Sequence, residues 1–184
     1  MVKQVLNWKT KGLLLALLVL VADQLSKWYV VTQFLAVQKG DNFAQWLVQK
    51  SEQAAYVVKP ITSFLNIVMV WNPGVSFGLM QTNTQYVFWA LTAVAILVSF
   101  GFLVWLWRDP RAVRGVTVGL IVGGALGNVL DRVRYGAVID FIDVYVGKHH
   151  WPAFNVADSA IVVGVVILLI ETIFFSKEQK NGNQ

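Results

Sequence analysis

Four runs of apolar residues divide the chain, at roughly 12–35, 86–107, 113–131 and 157–175. The second, YVFWALTAVAILVSFGFLVWLW, holds no charge; at about 1.5 Å per residue it extends about 33 Å, enough to cross a hydrocarbon core. Each run is predicted to be a membrane-spanning helix. The first carries Asp23 and Lys27, whose i,i+4 spacing stacks them on one helical face, where pairing lowers the cost of buried charge. That face is expected to point into the bundle, as a structural ion pair orienting the helix. The third run sets Gly119, Gly123 and Gly127 at four-residue intervals, with Gly124 beside them. Such small-residue faces let helices approach closely.

Between the first two runs the pattern changes. Phe43, Trp46, Leu47 and Ala54 recur at roughly helical spacing, with Asp41, Lys50 and Glu52 elsewhere, which is compatible with a short helix on the bilayer surface over about 41–58. The stretch 61–80 is rich in β-branched and aromatic residues and breaks at Asn72-Pro73-Gly74, reading as two short strands. Two such strands are not stable alone in water, so they are expected to rest on the membrane region. The fold class predicted is therefore a membrane all-α protein with a small β addition: one integral membrane domain over 1–184, four spans and a small outer β-region. The polar tail 177–184 is expected to be disordered. The N-terminus resembles a signal peptide, but no A-x-A site follows the first run, so it is read as a retained span.

Composition sharpens this picture. The chain of 184 residues is 57% hydrophobic and 14% charged, with a mean hydropathy of +0.59, too apolar for a single soluble domain of that size. A net charge of +5 raises nucleic-acid binding, but the placement of the charges argues against it. Lys3, Lys9 and Lys11 precede the first span, Arg108, Arg111 and Arg114 lie between the second and third, and Lys177 and Lys180 follow the fourth. The positive-inside rule then places both termini in the cytoplasm. Trp28, Trp89, Trp105, Trp107 and Trp151 fall near the expected interfaces, as belt residues do. The chain has no cysteine, which excludes disulfides, thiolate catalysis and Cys-based metal sites. The adjacent His149 and His150 make a poor chelating set and read as an exposed loop pair, so no metal and no cofactor is expected.

The candidate chemistry lies in carboxylates. Asp140, in AVIDFIDV, and Asp158, in PAFNVADSA, flank the short loop leading into the last span. A carboxylate at a bilayer boundary is costly unless it is paired or used. Asp131, Asp143, Asn128 and Asn155 collect on the same side. A helix-cap explanation is also available for Asp158, because Asn155 precedes it by three residues and the macrodipole favours an acid in the first turn. Apolar neighbours flank both Asp140 and Asp143, so burial alone does not choose between them. Without a Cys, a metal motif or a Ser–His or Ser–Lys pattern, a carboxylate pair is the economical chemistry. One member holds its proton as general acid while the other activates water as general base.

Five blocks in order, ADQLSK, NPGVSFG, GGALGNVLDR, AVIDFID and FNVADSA, resemble the signature blocks of the bacterial lipoprotein signal peptidases (signal peptidase II). The resemblance runs from Asp23 to Ser159. It implies an intramembrane aspartyl protease of the bacterial inner membrane, with four helices, a small β-cradle and an active site near the extracytoplasmic face. It implies a substrate class, prolipoproteins cleaved before a cysteine that bears diacylglycerol, and no nucleic-acid partner. Asp140 and Asp158 are then the catalytic dyad, and Asn72, Gly74, Gly127, Asn128, Asp131, Arg132, Asn155 and Ala157 shape the site. Asp23 and Lys27 receive a structural role, and the chain is expected to act as a monomer. Two features depart from the family pattern. The stretch 38–60 is longer than the usual first outer loop, and Pro73 stands in a variable slot, where it stiffens the turn without removing Asn72. A small transporter or proton-coupled channel is the alternative reading, since intramembrane acids serve such proteins. It calls for inverted repeats or helices interrupted at mid-membrane, whereas here the acids collect toward one face and the halves show no visible symmetry. A structural membrane subunit accounts for the glycine faces but leaves the clustered Asp and Asn unused.

Overall fold

The computed structural model describes residues 7–38, 42–48, 53–74, 84–108 and 111–181. Helix α1 (Trp8–Trp28) begins at Asn7, whose Oδ1 accepts the Thr10 backbone N–H at 3.0 Å, satisfying an amide that the helix cannot. It runs on through a π-helical turn, Tyr29–Phe34. Helices α3 (Thr84–Arg108), α4 (Ala112–Tyr135) and α5 (Val156–Asn181) complete the long set. Among the described residues, four stretches, Trp8–Phe34, Phe88–Arg108, Ala112–Tyr135 and Val156–Phe174, are long and apolar enough to cross a membrane. These bounds lie within a few residues of the four apolar runs.

Helix α4 is the centre of the bundle and packs against α1, α3 and α5. Within its most apolar window 61% is buried, against 17% for α3 and α5, so α4 faces protein where those two face outward. Its glycines make that possible. A Cβ on Gly123 would stand 2.5 Å from the Ala16 carbonyl oxygen of α1, and one on Gly124 would stand 2.4 Å from the Ala157 oxygen of α5. The glycine repeat serves two neighbours: Gly119 and Gly123 admit α1, and Gly124 admits α5.

The β-structure differs from the sequence expectation. Among the described residues, four antiparallel strands, β1 (Val57–Pro60), β2 (Leu65–Asn72), β3 (Val138–Val146) and β4 (His149–His150), lie in that order in one sheet. The expected second strand, after Asn72-Pro73-Gly74, falls on residues 75–80, outside the described residues. The long partner of β2 is instead β3, the stretch read from sequence as part of a short loop. Gly136, at φ 75°, ends α4 in the left-handed conformation, which glycine adopts without steric cost. The chain then turns straight into β3. Opposite residues include Asn72 and Val138, Val70 and Asp140, and Asn66 and Asp143, with a register irregularity between Ile67 and Val70.

Two further expectations are corrected. Of the surface helix expected over 41–58, Phe43–Val48 is helical (α2) while 53–56 are not and Val57 is already in β1; Asp41, Lys50 and Glu52 lie outside the described residues. Helix α2 docks because Trp46 is fully buried beside Val31, Met69, Tyr135 and Ile139, with the Arg134 guanidinium stacked on its ring and donating to its carbonyl. The pair His149–His150 is a two-residue strand hydrogen-bonded to β3 rather than a loop. Helix α5 extends to Asn181, past the start of the tail expected over 177–184.

Packing at α4 gives a direct test. Gly124→Val is expected to destabilise the protein by about 1–3 kcal/mol through forced separation of α4 and α5. Gly101→Ala, where nothing lies within 4 Å of the new Cβ, is expected to leave stability unchanged. Thermal unfolding in detergent distinguishes them.

Candidate active site

At the sheet end of the bundle lies a fully buried charge cluster. Lys27 Nζ sits 2.7 Å from Asp23 Oδ2 and 2.7 Å from Asp131 Oδ2, with all three side chains at 0% exposure. Lys27 and Asp23 are stacked on α1 as their spacing predicts; Asp131 is the partner that spacing alone leaves unnamed. Gln24 Nε2 joins the cluster, donating to Asp131 Oδ1 at 2.9 Å and Asp23 Oδ2 at 3.1 Å. Each acid also accepts one backbone amide. Asp131 Oδ2 takes the Ile139 N–H at 3.1 Å, and Asp23 Oδ1 takes the Ala157 N–H at 3.0 Å. These are the amides of the residues immediately before Asp140 and Asp158. Gly127 belongs here for steric reasons, since a Cβ on it would meet Asp23 Oδ2 at 2.7 Å and the Ala157 methyl at 3.3 Å.

Two amide side chains tie the aspartates together. Asn155 Nδ2 donates to Asp140 Oδ1 at 2.8 Å and also reaches Asn128 Oδ1 and the Ile139 carbonyl, each at 3.2 Å. Asn128 Nδ2 donates to Asp158 Oδ1 at 2.7 Å. Asn155 and Asp158 cap the start of α5 reciprocally: the Asp158 N–H donates to Asn155 Oδ1 at 2.9 Å, and Asp158 Oδ2 accepts the Asn155 N–H at 3.3 Å. The cap explanation for Asp158 and its place in the cluster therefore hold together. Lys27 Nζ lies 3.5 Å from Asn128 Oδ1, an orientation that turns the Asn128 amide nitrogen toward Asp158.

Asp140 is 1% exposed and takes a second donor, Asn72 Nδ2, at 2.9 Å. Asn72 in turn accepts the Gly74 N–H at 2.8 Å. Gly74 holds φ +90°, and a Cβ there would stand 2.1 Å from Leu91 Cδ1 and 3.9 Å from Arg132 Nη2, so the turn after β2 is closed to larger residues. Arg132 Nη1 reaches the Asn128 carbonyl at 3.5 Å. Burial raises the Asp140 carboxyl to about 7, helped by the Asp158 charge; the Asn72 hydrogen bond, Lys27 and the Asn155 hydrogen bond pull in the opposite direction.

The structure gives Asp140 and Asp143 different partners, a distinction that their apolar flanking residues do not make. Asp143 is also buried, but its partners are Asn66 Nδ2 at 2.8 Å and His150 Nδ1 at 2.9 Å, and neither touches the Asn128–Asn155 pair. Gln24, Asn66 and His150 are contacts that the sequence reading does not assign. Gln24 adjoins Asp23 within the ADQLSK block, which is the one available signal. A cavity of about 460 Å³, lined by Trp151, Ala153, Phe154, Val162 and Val163, opens beside Asp158. The described residues contain no group of three or more His, Cys, Asp or Glu fit to hold a metal ion. A buried carboxyl near neutrality beside a second carboxylate, both oriented by amide donors, can run acid–base chemistry on a bound water.

Residues 15–174 match the family model for signal peptidase (SPase) II. The chain is 40% identical over 145 residues to a lipoprotein signal peptidase of Acinetobacter baumannii (strain SDF), covering 78% of this chain and 82% of the relative. It is 34% identical over 173 residues to a lipoprotein signal peptidase of Methylocella silvestris, covering 94% and 91%. A solved bacterial membrane enzyme superposes with a TM-score of 0.66 at 26% identity, covering 90% of this chain and 94% of that one.

The electrostatics of Asp140 can be read directly. Its carboxyl infrared band is expected to titrate near pH 7. In Asp158→Asn the midpoint should fall, because a charge that disfavours ionisation is removed.

Proposed function

The chain belongs to the signal peptidase II family, a family of aspartic proteases, and from that premise we propose that Asp140 and Asp158 hydrolyse one peptide bond of a prolipoprotein. The observation that carries this reading is the shared Asn128–Asn155 amide bridge, which orients both carboxylates while Asp140 is raised to about 7. Asp158 takes a proton from water as the oxygen attacks the carbonyl carbon. Asp140 donates its proton to the carbonyl oxygen, which relieves the developing charge. When the tetrahedral intermediate collapses, the C–N bond breaks. The leaving nitrogen receives the proton held by Asp158, and Asp140 recovers its own. No side chain forms a covalent bond.

The substrate is a prolipoprotein whose cysteine already bears diacylglycerol, cut just before that cysteine. Four helices able to cross a membrane and the family membership fit the bacterial inner membrane. Both termini face the cytoplasm in this reading, and the site opens near the extracytoplasmic face. The apolar signal segment packs along the spans, with the lipid remaining in the bilayer. Asn72, Gly74, Gly127, Asn128, Asp131, Arg132, Asn155 and Ala157 shape the site, and Asp23 and Lys27 support it. A single chain supplies all of these residues, so a monomer suffices.

In detergent, a diacylglyceryl-modified prolipoprotein is expected to be processed by the native chain. Asp140→Asn and Asp158→Asn should each lower turnover by at least about 100-fold, the scale of positioned acid–base catalysis, with folding intact by circular dichroism. Near-full turnover in either variant would refute the dyad. Asp143→Asn should produce only a modest effect; total loss there would reassign the pair.

A further inference from the structure

A second polar cluster occupies the sheet, apart from the amides that hold Asp140 and Asp158. Both oxygens of Asp143 face His150 Nδ1, at 2.9 Å and 3.0 Å, while Asn66 fixes one of them from β2. The His150 ring lies flat against Tyr145, with centroids 4.8 Å apart and planes 15° from parallel. The imidazole is thus held on one edge and one face, yet its side chain keeps 51% exposure. Backbone pairing of β4 with β3 requires neither side chain. A ring whose Nδ1 faces a carboxylate carries its hydrogen there and offers Nε2 as an acceptor, or as a donor once protonated. Orienting an imidazole through a carboxylate in this way readies its other nitrogen for a ligand.

Position says which ligand. Asp143 and His150 border a cavity of about 360 Å³, with Tyr56, Val70, Trp151 and Ala153 among its walls. Trp151 and Ala153 also wall the cavity that contains Asp158, Val162 and Val163. Val70 is the cross-strand partner of Asp140. The cavity bordered by Asp143 and His150 therefore abuts the dyad from the sheet side, while the other runs along α5. An apolar signal segment belongs with the spans. The chain beyond the cleaved bond must leave toward water, which takes it over the sheet.

Resting on the lipoprotein signal peptidase reading, we propose that the cavity bordered by Asp143 and His150 binds the first residues of the mature polypeptide just past the cleaved bond. His150 Nε2 makes the hydrogen-bonding contact, and Asp143 is the residue that positions it. The site is thus a specificity determinant separate from the bond-breaking groups.

Two substrates test this with the full chain in detergent. Both carry the signal peptide and the diacylglyceryl cysteine; one continues for several mature residues, and the other ends at that cysteine as its amide. The native chain should favour the longer substrate by about tenfold in kcat/KM, the scale of one productive hydrogen bond to a positioned group. The gain should appear in KM. His150→Ala should remove that preference while cleaving the short substrate at the native rate, and His150→Gln should recover part of it. Equal losses on both substrates, or no loss on either, would overturn the subsite. So would a native chain that does not distinguish the two. Cleavage of neither substrate by the folded native chain would refute the activity itself, and the subsite with it.

Discussion

A lysine buried between two aspartates sets the geometry of this protein. Removing three charges from water is expensive, and the mutual attraction of such a group repays the cost only when the remaining hydrogen-bonding capacity is also satisfied. Here it is. Lys27 bridges Asp23 and Asp131 at 2.7 Å each, Gln24 adds donors to both acids, and the backbone amides of Ala157 and Ile139 take further positions. Because Asp23 and Lys27 lie on α1 and Asp131 on α4, while those amides open α5 and lie at the start of β3, the cluster fixes four elements at once. It also brings the two candidate catalytic acids to neighbouring places, since each directly follows a clamped residue.

That arrangement depends on close backbone approach. The Ala157 amide reaches Asp23 only because α4 carries Gly124 and Gly127 where α5 and α1 come near. Small residues here are more than packing aids in an apolar bundle; they allow a hydrogen bond between α1 and the first turn of α5. Asn155 then performs two tasks with one side chain. Its oxygen caps α5 and its nitrogen reaches Asp140, so the end of a helix and the end of a strand share one polar hinge. Charge at the first turn of α5 is also favoured by the helix macrodipole, which acts on both Asp23 and Asp158.

The four spans were legible because runs of about twenty apolar residues have few alternatives in any environment. Asn72, Asn128, Asn155 and both candidate catalytic acids were legible as ordered blocks, and the Asp23–Lys27 pair followed from helical spacing alone. The sheet was less so. In β3 the acids stand three residues apart, at Asp140 and Asp143, which breaks the alternation that marks a strand. The partner strand β2 lies far away in sequence and carries a register irregularity of its own. His150 read as a loop residue because its partner, Asp143, is found across a strand pair.

The sequence by itself determined the layers of this protein: which segments seek lipid, which residues are too polar to lie there unused, and that chemistry without cysteine falls to carboxylates. These follow from transfer free energies and short-range periodicity, which are local properties. The tertiary structure decided what each aspartate touches. Asp140 and Asp143 share a strand, apolar neighbours and burial, and they differ only in what meets them: the Asn155 and Asn72 amides for one, Asn66 and His150 for the other. Such partners come from elements distant along the chain, and no local pattern records which of them will meet once the helices and sheet have packed.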